Sequence, residues 1–315
     1  MTTMTCEQIQ PDLVAAATDD ASSAVAARVR AHIADCAPCR IDFDRYRDLD
    51  RVVGALRRAP VGDDHAAESL AGLERRLADL RRRVLSVHVW DSPVGPLLIA
   101  RSEEGVALVE YLDRPTVRAS RLSRRAGVEL VEDGGESEPI YRQLVEYLRG
   151  ERTRLPWPLD FRLARSGFTR EVLRATSDVA YGAVTSYGHI AREVGKPAAV
   201  RAVAQALRWN PLPLVVPCHR VVGGTGALTG YAGSNVSLKA RLLSLEGVPT
   251  TPRGITRGRM YVRLDHETAY CLPTCGDLST VPLTRLTLFG SRERAEAVGL
   301  NPCADCRPDL HPLSA

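Results

Sequence analysis

Long apolar runs are the first thing this chain lacks. None approaches the ~20 residues of a membrane span, so no transmembrane segment is expected among its 315 residues. The opening residues, MTTMTCEQIQPD, have no basic stretch leading into an apolar one, so no signal peptide is read and a cytoplasmic location is expected. Lysine is nearly missing: of 42 basic residues only Lys196 and Lys239 are lysines. The arginine bias elsewhere needs no functional reason beyond genomic base composition. Apolar content (44%) and charged content (25%) are those of an ordinary soluble globular protein, and the length suggests about two domains.

Net charge is only +4, but it is uneven. From Arg165 to Arg220 there are eight Arg or Lys against three Asp or Glu, a surplus of the kind that phosphate binding requires. The eight cysteines fall into three groups: Cys6, Cys36 and Cys39; Cys218 alone; and Cys271, Cys275, Cys303 and Cys306. In a cytosolic chain such clusters suggest metal sites more than disulfides.

The chain is organised around Val215 to Val222, VVPCHRVV. The β-branched flanks predict one strand entering the segment and another leaving it. Pro217 cannot donate to a ladder and breaks the first strand just before Cys218. A cysteine fixed beside an imidazole is where a nucleophilic thiolate belongs, because a neighbouring base makes the reactive form. The plain alternative is a buried Cys next to a surface His. Upstream, Thr185-Ser186-Tyr187 lead into a helix through Ala191 and Val194, Gly195-Lys196-Pro197 turn the chain, and Ala198 to Leu207 form a second helix. That pattern reads as helix-turn-helix.

These residues carry a resemblance to the O6-alkylguanine-DNA alkyltransferases. FTREVL (168–173), YGAVTSYGHIAREVGKPAAVRAVAQAL (181–207), NPLPLVVPCHRVV (210–222), GALTGYAG (226–233) and LKARLLSLEG (238–247) keep that family's order. Residues 86–165, with SPVGPLLIA and GVALVEYL as strands joined by SEEG, resemble its N-terminal half, and Pro156-Trp157-Pro158 read as a linker. The resemblance implies a reaction. The base is flipped out of the duplex, Cys218 attacks the alkyl carbon of O6-alkylguanine (and O4-alkylthymine) and keeps the group irreversibly. It makes Arg201 the finger that fills the vacated space, Tyr187 the residue that rotates the nucleotide and then hydrogen-bonds the base, and Lys239 its support. Ala199, Ala202 and Ala206 allow close approach of the second helix to the minor groove, with Arg208 beside them. His219 acts through a water, Glu246 orients it, and Asn210 braces the turn, a triad logic. No organic cofactor is implied. The protein would be a single-turnover methylated-DNA–protein-cysteine methyltransferase whose partner is double-stranded DNA.

The two ends read as metal modules. His32 and Cys36 lie at i, i+4 on one predicted helix face, and Cys39 follows at C-x2-C spacing. With Cys6 as fourth ligand, this resembles the zinc-binding anti-sigma domain, which implies a sigma factor as partner and a regulatory alternative to repair. Reduced structural cysteines are the plain alternative. The pairs Cys271-x3-Cys275 and Cys303-x2-Cys306 make a four-cysteine zinc signature, and AYCLPTC…LNPCADCRPD resembles the metal-binding domain of the Ada adaptive-response protein. Two zinc ions are therefore expected, and Cys271 becomes a candidate second methyl acceptor.

The family patterns are not followed everywhere. Gly276-Asp277 stand where basic residues follow the second cysteine of Ada, YAGSNVSLK is one residue long against the alkyltransferases, and Trp209 replaces a small residue before Asn210. Together these readings give an α+β multidomain chain. A helical zinc domain (1–55) and a linker helix (56–85, with leucines 70, 73, 77, 80 and 85 packing on a neighbour) come first. A ribonuclease-H-like half (86–165), a winged helix-turn-helix-like catalytic half (166–250), a linker (251–258) and a small four-cysteine domain (259–312) follow.

Overall fold

The computed structural model describes residues 5–58, 63–115, 122, 127–231 and 235–313. The chain forms two compact units, Met1–Arg76 and Leu77–Ala315. No helix among the described residues is long and apolar enough to cross a membrane.

The first unit is helical: α1 (Cys6–Ala17), α2 (Ser23–Asp35), α3 (Ala37–Arg58) and the start of α4 (Asp63–Arg83). Thr5 opens α1 with a capping box and Ser22 caps α2, each satisfying amide donors that the first turn leaves free. The core is small, with Ile9, Leu13, Val29 and Cys39 buried together. One detail departs from the sequence reading. Helix α2 stops at Asp35, so Cys36 is its extended C-cap and not a residue of the helix face. That break turns the chain so that Cys36 and Cys39 can both approach His32. In α4, Leu70, Leu73, Leu77 and Leu80 are exposed, while Leu85, the last leucine of the expected stripe, lies on β1 and is buried.

The second unit begins with an antiparallel meander, β1 (Val84–Trp90), β2 (Leu97–Ser102) and β3 (Gly105–Tyr111), joined on its other edge by the parallel β4 (Glu129–Glu132). The SEEG turn between β2 and β3 falls where the sequence places it. Helix α5 (Glu138–Leu148) buries Leu144, Tyr147 and Leu148. Pro156 to Pro158 do not hang free as a linker. They run along the edge of β3, where the Val106 amide donates to Pro158 and the Asp160 amide to Val106.

Helix α6 (Gly167–Ser177), β5 (Ala183–Ser186), α7 (Tyr187–Glu193) and α8 (Val200–Arg208) follow. Ser186 caps α7, and Gly195 takes the left-handed conformation (φ 69°) that the turn between α7 and α8 demands. The strand expected to enter the cysteine segment is absent. Residues 211–216 form turns, with Leu214 at φ 74°, because Pro211, Pro213 and Pro217 remove ladder donors. Cys218–Arg220 then form one turn of 3-10 helix, and only β6 (Val221–Val222) is a strand. Helix α9 (Val236–Leu245) carries Lys239 inward.

The C-terminal part contains β7 (Thr250–Thr251), β8 (Gly254–Ile255), β9 (Tyr261–Leu264), β10 (Ala269–Tyr270), β11 (Leu286–Phe289), α10 (Arg292–Glu296) and β12 (Asn301–Pro302). Here the linker reading of 251–258 gives way to a β7–β8 hairpin. The four-cysteine segment is also not free-standing, because β11 and β9 extend the catalytic sheet in the order β6-β5-β11-β9. Val184 and Val222 share one apolar core with Val262, Leu283, Leu286 and Leu288, which explains why these strands stay on the sheet.

Candidate active site and metal centres

Cys218 is 7% exposed and lies in a cleft of about 670 Å³ whose walls include Tyr187, Arg208, Gly230 and Tyr231. Asn210 builds the turn beneath it. Its Oδ1 accepts from the Leu212 amide (2.8 Å), while its Nδ2 donates to the Val216 carbonyl (2.9 Å) and to Cys218 Sγ (3.3 Å). Burial pushes the Cys218 thiol up, and the Asn210 donor and the Lys239 charge partly offset it. The resting group is therefore a protonated thiol.

A charged cluster is buried behind the thiol. Glu246 is 0% exposed. It accepts from His219 Nε2 (2.7 Å), from Arg220 Nε (2.8 Å to Oε2) and Nη2 (3.0 Å), from Tyr147 Oη, and from the Gly182 amide (3.0 Å). Burial alone would raise its pKa, but the Arg220 guanidinium and His219 hold the carboxyl well below the usual range. An ionised carboxylate only accepts, so His219 carries its proton on Nε2, and Nδ1 is a bare base. That Nδ1 is buried and bonds to no group among the described residues. Burial lowers the His219 pKa against the pull of Glu246, which keeps the ring neutral.

Lys239 is 0% exposed, so its ammonium is covered and meets only neighbouring groups of the protein. Its Nζ donates to the Val221 carbonyl (2.6 Å) and the Thr229 carbonyl (3.1 Å) and lies 5.7 Å from the Tyr187 ring centre. Burial lowers its pKa to about 8, with the Cys218 charge acting in the other direction. Tyr187 is partly buried, and its hydroxyl accepts from Thr229 Oγ1 (3.1 Å). Arg201, Ala202 and Arg208 are exposed on α8 and Ala199 is half-exposed at its N-cap. Ala206 faces the core, so it does not belong to the approach surface. Trp209 is held by Arg165, whose guanidinium lies 3.9 Å from the ring centre. Residues 232–234 of the long YAGSNVSLK loop lie outside the described residues.

Sequence reasoning gave no role to Arg220 or Tyr147. Arg220 had a signal, since an arginine beside a buried histidine needs a carboxylate. Tyr147 had none, because 71 residues separate it from Cys218.

Both cysteine clusters come together. Cys6, His32, Cys36 and Cys39 place their ligand atoms within 4.8 Å of one another, as do Cys271, Cys275, Cys303 and Cys306. Two observations favour a cation in the first. The Cys6 and Cys36 sulfurs are 3.6 Å apart, close to the ~3.8 Å edge of a tetrahedron with ~2.3 Å metal–sulfur bonds. His32 Nε2 is buried with no other partner. Burial and then the neighbouring sulfurs push the Cys39 thiol up to about 12, a cost that a bound cation reverses. In the second cluster the Leu272 amide donates to Cys306 Sγ (3.3 Å), the outer-shell bond that orients a ligating thiolate. The residues present fit a tetrahedral divalent ion in both places.

Glu246→Gln should cost about 3–5 kcal/mol, because Arg220 stays charged and buried. The sign with pH follows from the depressed Glu246 value. Its stabilisation is complete above the unfolded carboxyl pKa of about 4.3 and is lost as pH falls toward the folded one. Urea unfolding should show a constant gap between wild type and variant from neutral pH down to about pH 5, and a gap that narrows steadily from there to about pH 3. A gap that stays constant throughout would contradict the charge-based account.

The comparisons with known proteins agree with this geometry. Residues 167–248 match the family model "6-O-methylguanine DNA methyltransferase, DNA binding domain", and residues 85–161 match the ribonuclease-like domain of the same family. Residues 6–40 match the model described as "Putative zinc-finger". A methylated-DNA–protein-cysteine methyltransferase of Methanosarcina acetivorans is 37% identical over 165 residues, 50% of this chain and 96% of that protein. The inducible one of Bacillus subtilis is 38% identical over 150 residues, 47% of this chain and 82% of its own length. The crystal structure of Mycobacterium tuberculosis OGT in complex with DNA is 35% identical, covering 51% of this chain and 92% of that one with a TM-score of 0.44. With two models on adjoining stretches and a relative spanned almost end to end, the chain belongs to the O6-methylguanine DNA methyltransferase family.

Proposed function

We propose that Cys218 is the residue that takes the alkyl group, that His219 is its base, and that α8 delivers the damaged nucleotide. Membership of the family carries the reaction itself: alkylated DNA is repaired by methyl transfer from O6-methylguanine to a protein cysteine. The observations behind the assignment are a buried Cys218 thiol and, on the next residue, a buried and unpartnered His219 Nδ1 whose ring is fixed on Glu246 through Nε2.

A guanine inside the stack is out of reach, so it is flipped into the cleft at a cost of a few kcal/mol. Arg201, exposed on α8, fills the gap, and Ala199 and Ala202 let the helix approach the minor groove. Tyr187 crowds the target phosphate and donates to the flipped ring. The Cys218 proton passes through a water to His219 Nδ1. The thiolate attacks the alkyl carbon, the S–C bond forms, and the C–O6 bond breaks with its electron pair staying on the guanine. Tyr187 steadies that charge, and Lys239, packed on the Tyr187 ring, supports it. The thiol proton finally balances the guanine. O4-alkylthymine fits the same chemistry. The product is a thioether that water does not cleave, so each molecule reacts once.

Zinc is the metal that the cysteine-rich ligand sets favour. When bound it supplies a structural cross-link, held by Cys6, His32, Cys36 and Cys39 in one unit and by Cys271, Cys275, Cys303 and Cys306 in the other. A second reading concerns only the N-terminal unit. Its zinc-finger match and the exposed Ile41, Leu49, Val52 and Leu56 of α3 favour a protein partner, with a sigma factor as the candidate. Co-purification of a sigma factor that disappears in Cys36→Ser supports it, and zinc-loaded protein that binds none of the host's sigma factors rejects it. Cys271 as an acceptor of methyl from DNA phosphotriesters is a separate proposal, decided by peptide mapping after incubation with a duplex that carries a methyl phosphotriester.

Intact mass measurement after incubation with an O6-methylguanine duplex should show one added methyl. Peptide mapping should place it on Cys218, and Cys218→Ser should show none. Full-length protein that stays unmethylated would overturn the assignment. The transfer rate should rise with pH as the thiol ionises. Removing a nearby cation raises the thiol pKa, so Lys239→Met should move that rise to higher pH in single-turnover assays. Metal analysis should find two zinc ions per chain, and His32→Ala or Cys306→Ser should each lose one.

A further inference from the structure

We infer that the C-terminal four-cysteine segment is a metal-clamped brace that positions both ends of the transfer machinery, the Ser186–Tyr187 corner and the Glu246 turn. The inference rests on the repair reading for its rate measurement but not for its structural one.

The brace touches those two places. At the first, β11 pairs with β5, and the Ser186 hydroxyl does two jobs at once. It accepts from the His189 amide, which starts α7 at Tyr187, and donates to the Leu283 carbonyl (3.1 Å). Thr185 Oγ1 donates to the Leu286 carbonyl (3.3 Å). On the next residue of α7 past Tyr187, Gly188 lies so close to Thr284 that a Cβ would overlap the threonine methyl. Arg192 at the far end of α7 donates to Asp265 Oδ1 (2.8 Å) and to the Thr284 carbonyl (3.1 Å). At the second place, the Gly290 amide donates to the Gly182 carbonyl (2.8 Å), and Gly182 in turn donates to Glu246. Gly290 also lies directly on the Gly247 carbonyl, where a Cβ would overlap it, so the end of β11 is pressed against the residue after Glu246.

The brace is itself held by the cluster. Cys271 is bridged to Val262 of β9 by a pair of backbone bonds (2.8 and 2.9 Å). Cys275 follows Cys271 by four residues, and Cys303 and Cys306 follow β12, which pairs with β10 just before Cys271. A cation on the four sulfurs therefore ties the outer edge of β9 to the chain end. Without it, the two-residue β10–β12 pair and the Val262–Cys271 bridge would be left with the Tyr261–Tyr270 packing to hold that edge, and strand pairs this short are marginal.

The direct test is hydrogen exchange on the full chain, zinc-loaded against Cys303→Ser/Cys306→Ser. Exchange should accelerate by about tenfold or more at 182–193 and 246–248, while 97–111 stays protected. The methyl-transfer rate at saturating duplex should fall by a similar factor with duplex affinity changed less than about twofold, since a small misplacement of a reacting group costs rate before binding. Faster exchange confined to 269–313 would overturn the inference. So would loss of protection throughout 97–111, because the segment would then be part of the general fold. Thr284 gives a second test that leaves the cysteines alone. Thr284→Ala should slow saturating transfer by about threefold or more with zinc content unchanged, and Thr284→Val, which keeps the methyl against Gly188, should restore it. An unaffected Thr284→Ala contradicts the brace. If the wild-type chain transferred no methyl, the repair reading would fail while the exchange result still decided this one.

Discussion

A single buried carboxylate holds the reactive end of this molecule together. Glu246 sits in the interior with an arginine, a histidine, a tyrosine hydroxyl and a backbone amide all donating to it. Burying an ion is expensive unless it is fully paired, and here the donors come from separate parts of the chain. Tyr147 is on α5, Gly182 precedes β5, and His219 and Arg220 share the turn after Pro217. Satisfying the carboxylate therefore fixes three elements against the end of α9. The same bond that satisfies Glu246 sets the His219 tautomer, so the cost of burial and the preparation of a base are one arrangement.

Cys218 shows the complementary economy. A thiol that is buried and protonated at rest is poorly reactive toward oxidants and stray electrophiles. Its activation depends on groups that are already in place: Asn210 donating to the sulfur, Lys239 nearby, and a bare imidazole nitrogen behind. Lys239 repeats the theme, because a lysine with no exposure can only act on its neighbours. The exposed surface of α8, by contrast, carries arginines and small side chains, as the proposed approach to DNA requires.

Much of this was legible in the sequence because chemistry concentrates there in short strings. PCHRV, the Gly195 turn and the two cysteine pairs each name their residues without help from the fold. The readings that failed depended on long-range pairing. Local β-branching around Val215 and Val216 suggested a strand, but three prolines and the Asn210 side chain hold that stretch in turns. Residues 259–312 read as a small four-cysteine domain because their cysteines are spaced like a module, and that spacing says nothing of what the domain packs on. Their strands complete a sheet whose other members lie about 40 to 100 residues earlier, and only the shared core of Val184, Val222 and Leu288 reveals it. Tyr147 could not be found at all, since a tyrosine on an amphipathic helix looks like any core residue.

The central claim is that Glu246 holds His219 as a neutral imidazole with its proton on Nε2 and a bare Nδ1. Nitrogen-15 NMR of histidine-labelled protein, with His219→Gln to assign the signal, reads this directly. The account predicts a protonated Nε2 and an unprotonated Nδ1 across neutral pH. A doubly protonated ring at pH 7, or a proton on Nδ1, would contradict it.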